Sequence, residues 1–151
     1  MQIWRLSPTT VANLGLGFDF LGCAVDGFSD FVFVIVDPTI RPSQLSISEI
    51  SGLFFSSKQP SKNPLYNCAG NATIAAMKLL GICSIGFSLF LKKGLPLGSD
   101  LGSSAASAVA AVNAISSGAL SPLNLVNAGL RLEAKVFKYH AVRLDEVGFP
   151  S

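Results

Sequence analysis

Apolar and polar residues alternate along residues 85–91, with Ile85, Phe87, Leu89 and Leu91 on one side and Gly86, Ser88, Phe90 and then Lys92 on the other. A period of two predicts a strand with one clearly apolar face. Leu45, Ile47 and Glu49 alternate with Ser46, Ser48 and Ile50, which predicts a weaker strand. Residues 3–6 read as a short first strand. Residues 21–25 and 31–36 are apolar and β-branched, and Asp26-Gly27 between them predicts a hairpin. Residues 13–20 form a glycine-punctuated loop. Asp37-Pro38 and Arg41-Pro42 break the chain, and residues 56–64 make a polar, linker-like loop.

The period then changes. Ala69, Ala72, Thr73, Ala76, Met77 and Leu80 fall at helical spacing within residues 66–80, and Gly81 is a natural stop. Residues 103–117 form an alanine-rich helix ended by Gly118. Ser121-Pro122 supplies a cap and first turn for another helix, running to about residue 135. Strands come first and helices then alternate with strands, so the class is α+β.

Composition narrows the function classes. The chain has 151 residues, 50% of them hydrophobic and 13% charged, which suits one domain or part of a larger one and excludes a disordered tail. Net charge is +2, with no basic stripe interleaved with aromatics, so no nucleic-acid partner is expected. Cys23, Cys68 and Cys83 are widely spaced and odd in number, with no CxxC or His/Cys cluster to suggest zinc; buried free thiols in a reducing compartment are expected. Residues 101–130 carry no charge and could span a bilayer in length. Gly102, Ser103, Ser104, Ser107, Asn113, Ser116, Ser117 and Gly118 dilute them and Pro122 interrupts, so two buried helices explain the stretch better than a membrane span. The first residues show no secretory or transit composition.

One segment carries chemistry. Leu95-Pro96-Leu97-Gly98-Ser99-Asp100-Leu101-Gly102-Ser103-Ser104-Ala105-Ala106 joins the predicted strand to the alanine-rich helix. A helix N-terminus offers unpaired N–H groups and a positive dipole end, which suits phosphate. Gly98 and Gly102 let backbone approach an anion, Ser103 and Ser104 add hydroxyls for phosphate or magnesium, and Lys92 and Lys93 bring positive charge. A tight strand-to-helix connection built from small residues would look the same. No Gly-Lys-Ser/Thr of a P-loop occurs, and Gly15-Leu16-Gly17 lacks the third glycine of a dinucleotide fingerprint.

The same segment resembles the ATP motif of the GHMP kinases. Ser7-Pro8-Thr9-Thr10-Val11-Ala12-Asn13-Leu14-Gly15-Leu16-Gly17-Phe18-Asp19-Phe20-Leu21-Gly22 resembles the substrate-loop signature of the homoserine kinases, and residues 26–37, 67–80 and 130–140 look most like the plant type. The resemblance implies a GHMP kinase N-terminal domain with a ribosomal protein S5 domain 2-like fold over residues 1–140, including a left-handed βαβ crossover. It implies transfer of the ATP γ-phosphate to L-homoserine in threonine biosynthesis. Under it, Lys93, Pro96, Leu97, Gly98, Ser99, Leu101, Gly102, Ser103, Ser104, Ala105 and Ala106 bind ATP. Asn13, Asp19 and His140 approach homoserine, and Ser104 and Glu133 hold Mg2+. It assigns no catalytic base. A plastid setting follows from the plant type, with the cytoplasm as the alternative.

The sequence also departs from that pattern. Asp100 stands where the family has glycine, and Leu16 where proline is usual. After His140-Ala141 the family continues D-N-I-A-P, whereas residues 142–151 do not match, so residues 141–151 are expected to be a divergent tail. The family's second half, with its ferredoxin-like domain, is not expected in this sequence. Apolar surface left uncovered would then favour association of copies, a homodimer among them. The alternative to a kinase is a truncated, non-catalytic remnant that at most binds nucleotide or a partner chain.

Overall fold

The computed structural model describes residues 2–12, 22–52, 59–94 and 102–116. Strands β1 (Gln2–Ala12), β2 (Gly22–Val36) and β3 (Leu45–Gly52) precede helix α1 (Cys68–Leu79), strand β4 (Phe87–Lys93) and helix α2 (Ser103–Ser116). Among the described residues the strands form one four-stranded sheet in the order β1-β2-β4-β3. β1 and β4 both run antiparallel to β2, while β3 and β4 are parallel neighbours connected through α1. The class is α+β, as expected.

The predicted hairpin at Asp26-Gly27 does not form. β2 passes straight through, because β1 is long enough to pair with both of its halves. The register steps from Pro8↔Ser29 to Thr9↔Val25, so residues 26–28 are extruded as a bulge. Gly27 takes φ of 89°, and its N–H donates to Asp26 Oδ1 at 2.8 Å. The first strand therefore runs far beyond the expected residues 3–6. Pro8 lies within it without breaking a ladder, since β1 is an edge strand among the described residues. A second irregularity falls between Ile47 and Glu49, leaving Ser48 unpaired in the register. It explains why Ile47 and Ile50, three apart, are both buried.

One face of the sheet is covered by the helices. Val32 and Val34 of β2, Phe87, Leu89 and Leu91 of β4 and Ile47 and Ile50 of β3 are buried with Ala69, Met77, Ala110, Ala111 and Ala114. Burying side chains the size of Val32, Leu89 or Leu91 contributes about 1.5–3 kcal/mol each. The helices meet through small residues, Ala72 and Ala76 against Ala108 and Val112, which lets their backbones approach closely. α1 begins on Asn67, whose Oδ1 accepts from the N–H groups of Ala69 and Gly70 at 3.0 and 3.4 Å. It ends at Gly81 in a Schellman arrangement, with the Ile82 N–H donating to Met77 O at 2.9 Å. The expected end of the second helix at Ser117-Gly118, and the expected helix beyond Ser121, lie outside the described residues.

The opposite face is less complete. Phe33, Ile35 and Phe90 are only half-buried and, with Glu49, Ser51 and Lys92, line a groove of about 290 Å³. The expectation of buried thiols is corrected: Cys23 and Cys83 are exposed and Cys68 is half-buried. Cys83 falls in the turn between α1 and β4, outside the packed layers. No helix among the described residues is long and apolar enough to cross a membrane.

Candidate functional site

The buried row on β2 and β4 ends in charge. Registered pairs run Val36↔Phe87, Val34↔Leu89 and Val32↔Leu91 across the helix-covered face. Two residues further along each strand stand Asp30 and Lys93, at 0% and 6% exposure. Lys93 Nζ lies 2.8 Å from Asp30 Oδ2. Charges this deep are tolerable only when paired and hydrogen-bonded, and these are. Lys93 Nζ also lies within hydrogen-bond distance of Ser103 O at 3.2 Å, Ser103 Oγ at 3.0 Å and Ser107 Oγ at 2.5 Å, so four acceptors share its three protons. The Ser103 and Ser107 hydroxyls donate to Asp30 Oδ2 at 2.8 and 2.6 Å. Asp30 Oδ1 accepts the Gly94 N–H at 3.0 Å. Ser103 and Ser107 lie four apart on α2, hence on one side of the helix, and that side faces the ion pair.

The start of α2 is shaped from above by β1. Gly102 has φ of 63°, a left-handed conformation that side chains resist. A Cβ there would also come within 2.8 Å of Thr10 Oγ1 and 3.0 Å of Thr10 O. This contact sets the stem of the 13–20 loop against the stem of the glycine-rich loop, so the two sequence motifs meet at their roots. The first rung of α2 is the Ala106 N–H donating to Gly102 O at 2.9 Å. The N–H groups of Ser103, Ser104 and Ala105 precede that rung at the positive end of the helix dipole. Among the described residues none of them has an acceptor. A helix end of this kind suits an anion.

The two serines have different surroundings. Ser103 turns its hydroxyl inward to Asp30 and Lys93, whereas Ser104 is exposed. Lys93, read from the sequence as charge for phosphates, has its ammonium under the helix, balanced by Asp30; Lys92 is the exposed lysine. Lys92 borders a cavity of about 780 Å³ with Leu6, Phe28, Phe31 and Ser51, opening beside Gly94. Gly102, Ser103, Ser104, Ala105 and Ala106 are thus together at one helix end. Pro96, Leu97, Gly98, Ser99, Asp100, Leu101, Asn13, Asp19, Glu133 and His140 lie outside the described residues. Sequence reasoning passed over Asp30 and Ser107. The available signal was a lone carboxylate in phase with Val32 and Val34 in an otherwise apolar run.

The sequence profile described as "GHMP kinases N terminal domain" matches residues 67–141. Homoserine kinase of Arabidopsis thaliana is 61% identical over 93% of this chain. The chain belongs to the GHMP kinases. It spans 38% of the length of that plant relative. Homoserine kinase of Methanopyrus kandleri is 39% identical over 72% of the chain, which covers 32% of it. Among solved structures, homoserine kinase from Cytophaga hutchinsonii superposes with a TM-score of 0.80 at 31% identity, over 91% of this chain and 42% of that one. A mevalonate kinase superposes with a TM-score of 0.67 at 15% identity, a likeness of fold alone. This GHMP kinase chain is therefore homoserine kinase-like, and its fold is that of the family's N-terminal domain.

Proposed function

We propose that this chain is the nucleotide-binding part of a homoserine kinase, which transfers the γ-phosphate of ATP to the hydroxyl of L-homoserine. The observation that carries this is the start of α2, where the N–H groups of Ser103, Ser104 and Ala105 lie ahead of the first helical rung and the Ser104 hydroxyl is exposed. The chemistry fits a phosphate: donors with no acceptor among the described residues, a dipole of the right sign, and a glycine backbone allowing close approach. Residues 1–140 are taken as the domain and residues 141–151 as a tail. Pro96, Leu97, Gly98, Ser99, Leu101, Gly102, Ala105 and Ala106 would line the phosphates, while Ser103 and Lys93 support the loop from beneath. Asn13, Asp19 and His140 would hold homoserine: a carboxylate suits its ammonium and an amide its hydrogen-bonding groups. Ser104 and Glu133 offer the oxygen ligands that Mg2+ prefers, and the ion would offset charge on the phosphates. Likeness to the Arabidopsis protein supports a plastid setting, with the cytoplasm as the alternative.

Because the chain spans about two fifths of its relatives, nucleotide binding without turnover is the second reading. A coupled ADP-release assay with and without homoserine separates them. Homoserine-dependent turnover supports the kinase, binding of MgATP without turnover supports the second reading, and no binding at all sinks both. Asp100 bears on the same measurement. A carboxylate ~4 Å from a phosphate charge opposes it by roughly 4 kcal/mol before water and magnesium screen the pair. Asp100→Gly is expected to tighten MgATP binding by about tenfold, the equivalent of ~1.4 kcal/mol; unchanged affinity would refute the charge argument.

A further inference from the structure

A single buried carboxylate holds both stems of the glycine-rich loop. Asp30 Oδ1 accepts from Gly94, the first residue after β4, and Oδ2 accepts from Ser103, the first residue of α2. Lys93 repeats the tie from the β4 side, reaching both Ser103 and Ser107. Among the described residues the hydrogen bonds of this pair thus all run within the pair or to residues at the loop's ends and the first two turns of α2. A buried ion pair is a poor means of gaining stability, since well-packed apolar residues in its place are often as good or better. Its directional bonds, by contrast, fix position. The pair is also self-neutralised, so it leaves the positive end of α2 as the attractive element for an anion.

We infer that Asp30 and Lys93 are positioning residues for the phosphate loop, clamping residues 94 and 103 so that the first turn of α2 presents its N–H groups and Ser104 to an anionic phosphate ligand. This rests on the nucleotide reading above for the ligand, though not for the clamp. The clamp is nonlocal, joining β2 to positions 63 to 77 residues away, and the loop sequence alone cannot reveal it.

The test uses the whole chain with Asp30→Leu and Lys93→Met combined, which removes both charges while filling the space. The double variant is expected to fold, judged by circular dichroism and a cooperative melt. Amide exchange at residues 106–109, the first hydrogen-bonded amides of α2, should accelerate by about tenfold or more while residues 110–114 keep their protection, a local opening rather than a global one. MgATP binding, followed by calorimetric titration, should weaken by at least about tenfold. Should the double variant not fold, Lys93→Arg, which keeps the charge but cannot reproduce the same set of hydrogen bonds, carries the same two expectations. Exchange that changes uniformly, or not at all, overturns the positioning role, as does unaltered MgATP affinity beside a wild-type chain that binds. Local acceleration in a chain whose wild type binds no MgATP leaves the clamp standing and removes the nucleotide reading instead.

Discussion

The two helices are built from similar residues yet begin in opposite ways. α1 starts on Asn67, whose side chain closes its own first N–H groups while Nδ2 donates to Ser61 O at 2.9 Å. α2 starts on Gly102, which has no side chain to fold back. Its inward serines are spent on the ion pair and its leading N–H groups have no acceptor among the described residues. A helix end that is satisfied by its own cap has nothing left for a ligand. One that is tied down from the side and left open at the tip is rigid and available at once. The difference shows how a chain of small, uncharged residues can hold a binding end without a single exposed charge from the helix itself.

The largest effect expected on this contrast comes from Gly102→Ala. Holding a non-glycine residue in the left-handed region costs about 1–3 kcal/mol, and the added Cβ meets Thr10 Oγ1 at 2.8 Å. Urea denaturation should show that loss, and MgATP titration should show weaker binding. Wild-type behaviour in both would mean that the start of α2 is not set by this contact. Next, Asn67→Ala should lower stability by ~1 kcal/mol, the usual value of an N-cap, while changing MgATP affinity far less than Gly102→Ala does. Comparable losses of affinity in the two variants would erase the distinction between the helix ends.

The smallest effect concerns another side-chain cap, this one a carboxylate in water. Asp37 Oδ1 accepts from the Thr39 hydroxyl at 2.6 Å and the Thr39 N–H at 2.9 Å. The hydroxyl first, and then the N–H, hold the Asp37 carboxyl below its usual 3.8. A lowered folded value means that the contribution is present above 3.8 and is lost as pH falls through the folded value. Thr39→Val should therefore melt slightly earlier than wild type near neutral pH, with the two curves converging in acid. A gap that stays constant, or widens, as pH falls would show that this carboxylate is not what Thr39 stabilises.

Much of this was legible in the sequence because its signals are local. Alternation located β3 and β4 to within two residues, helical spacing with Gly81 located α1, and small residues ahead of an alanine-rich run located the start of α2. The misreadings have physical causes. Asp26-Gly27 marks a hairpin or a bulge equally well, and the choice between them was made by the length of β1, some twenty residues earlier in the chain. Ser103 and Ser104 are chemically alike, so their division into an inward and an exposed hydroxyl depends on where the helix face falls over β2. Lys93 looked like loop charge because its partner, Asp30, lies 63 positions away. Pairing across such a distance is settled by sheet order, which no local pattern encodes.

That distance also sets an order of events while the chain is being made. At about 5–20 residues per second, roughly 3–13 s separate synthesis of Asp30 from synthesis of Lys93. Through that interval β1 and β2 can pair, but the carboxylate on their inner face has no counter-charge, and closing the layer over it would bury a bare anion. The nascent sheet is thus discouraged from sealing early, and β4, the last of the described strands to be made and the one between β2 and β3, brings with it the cation that permits closure.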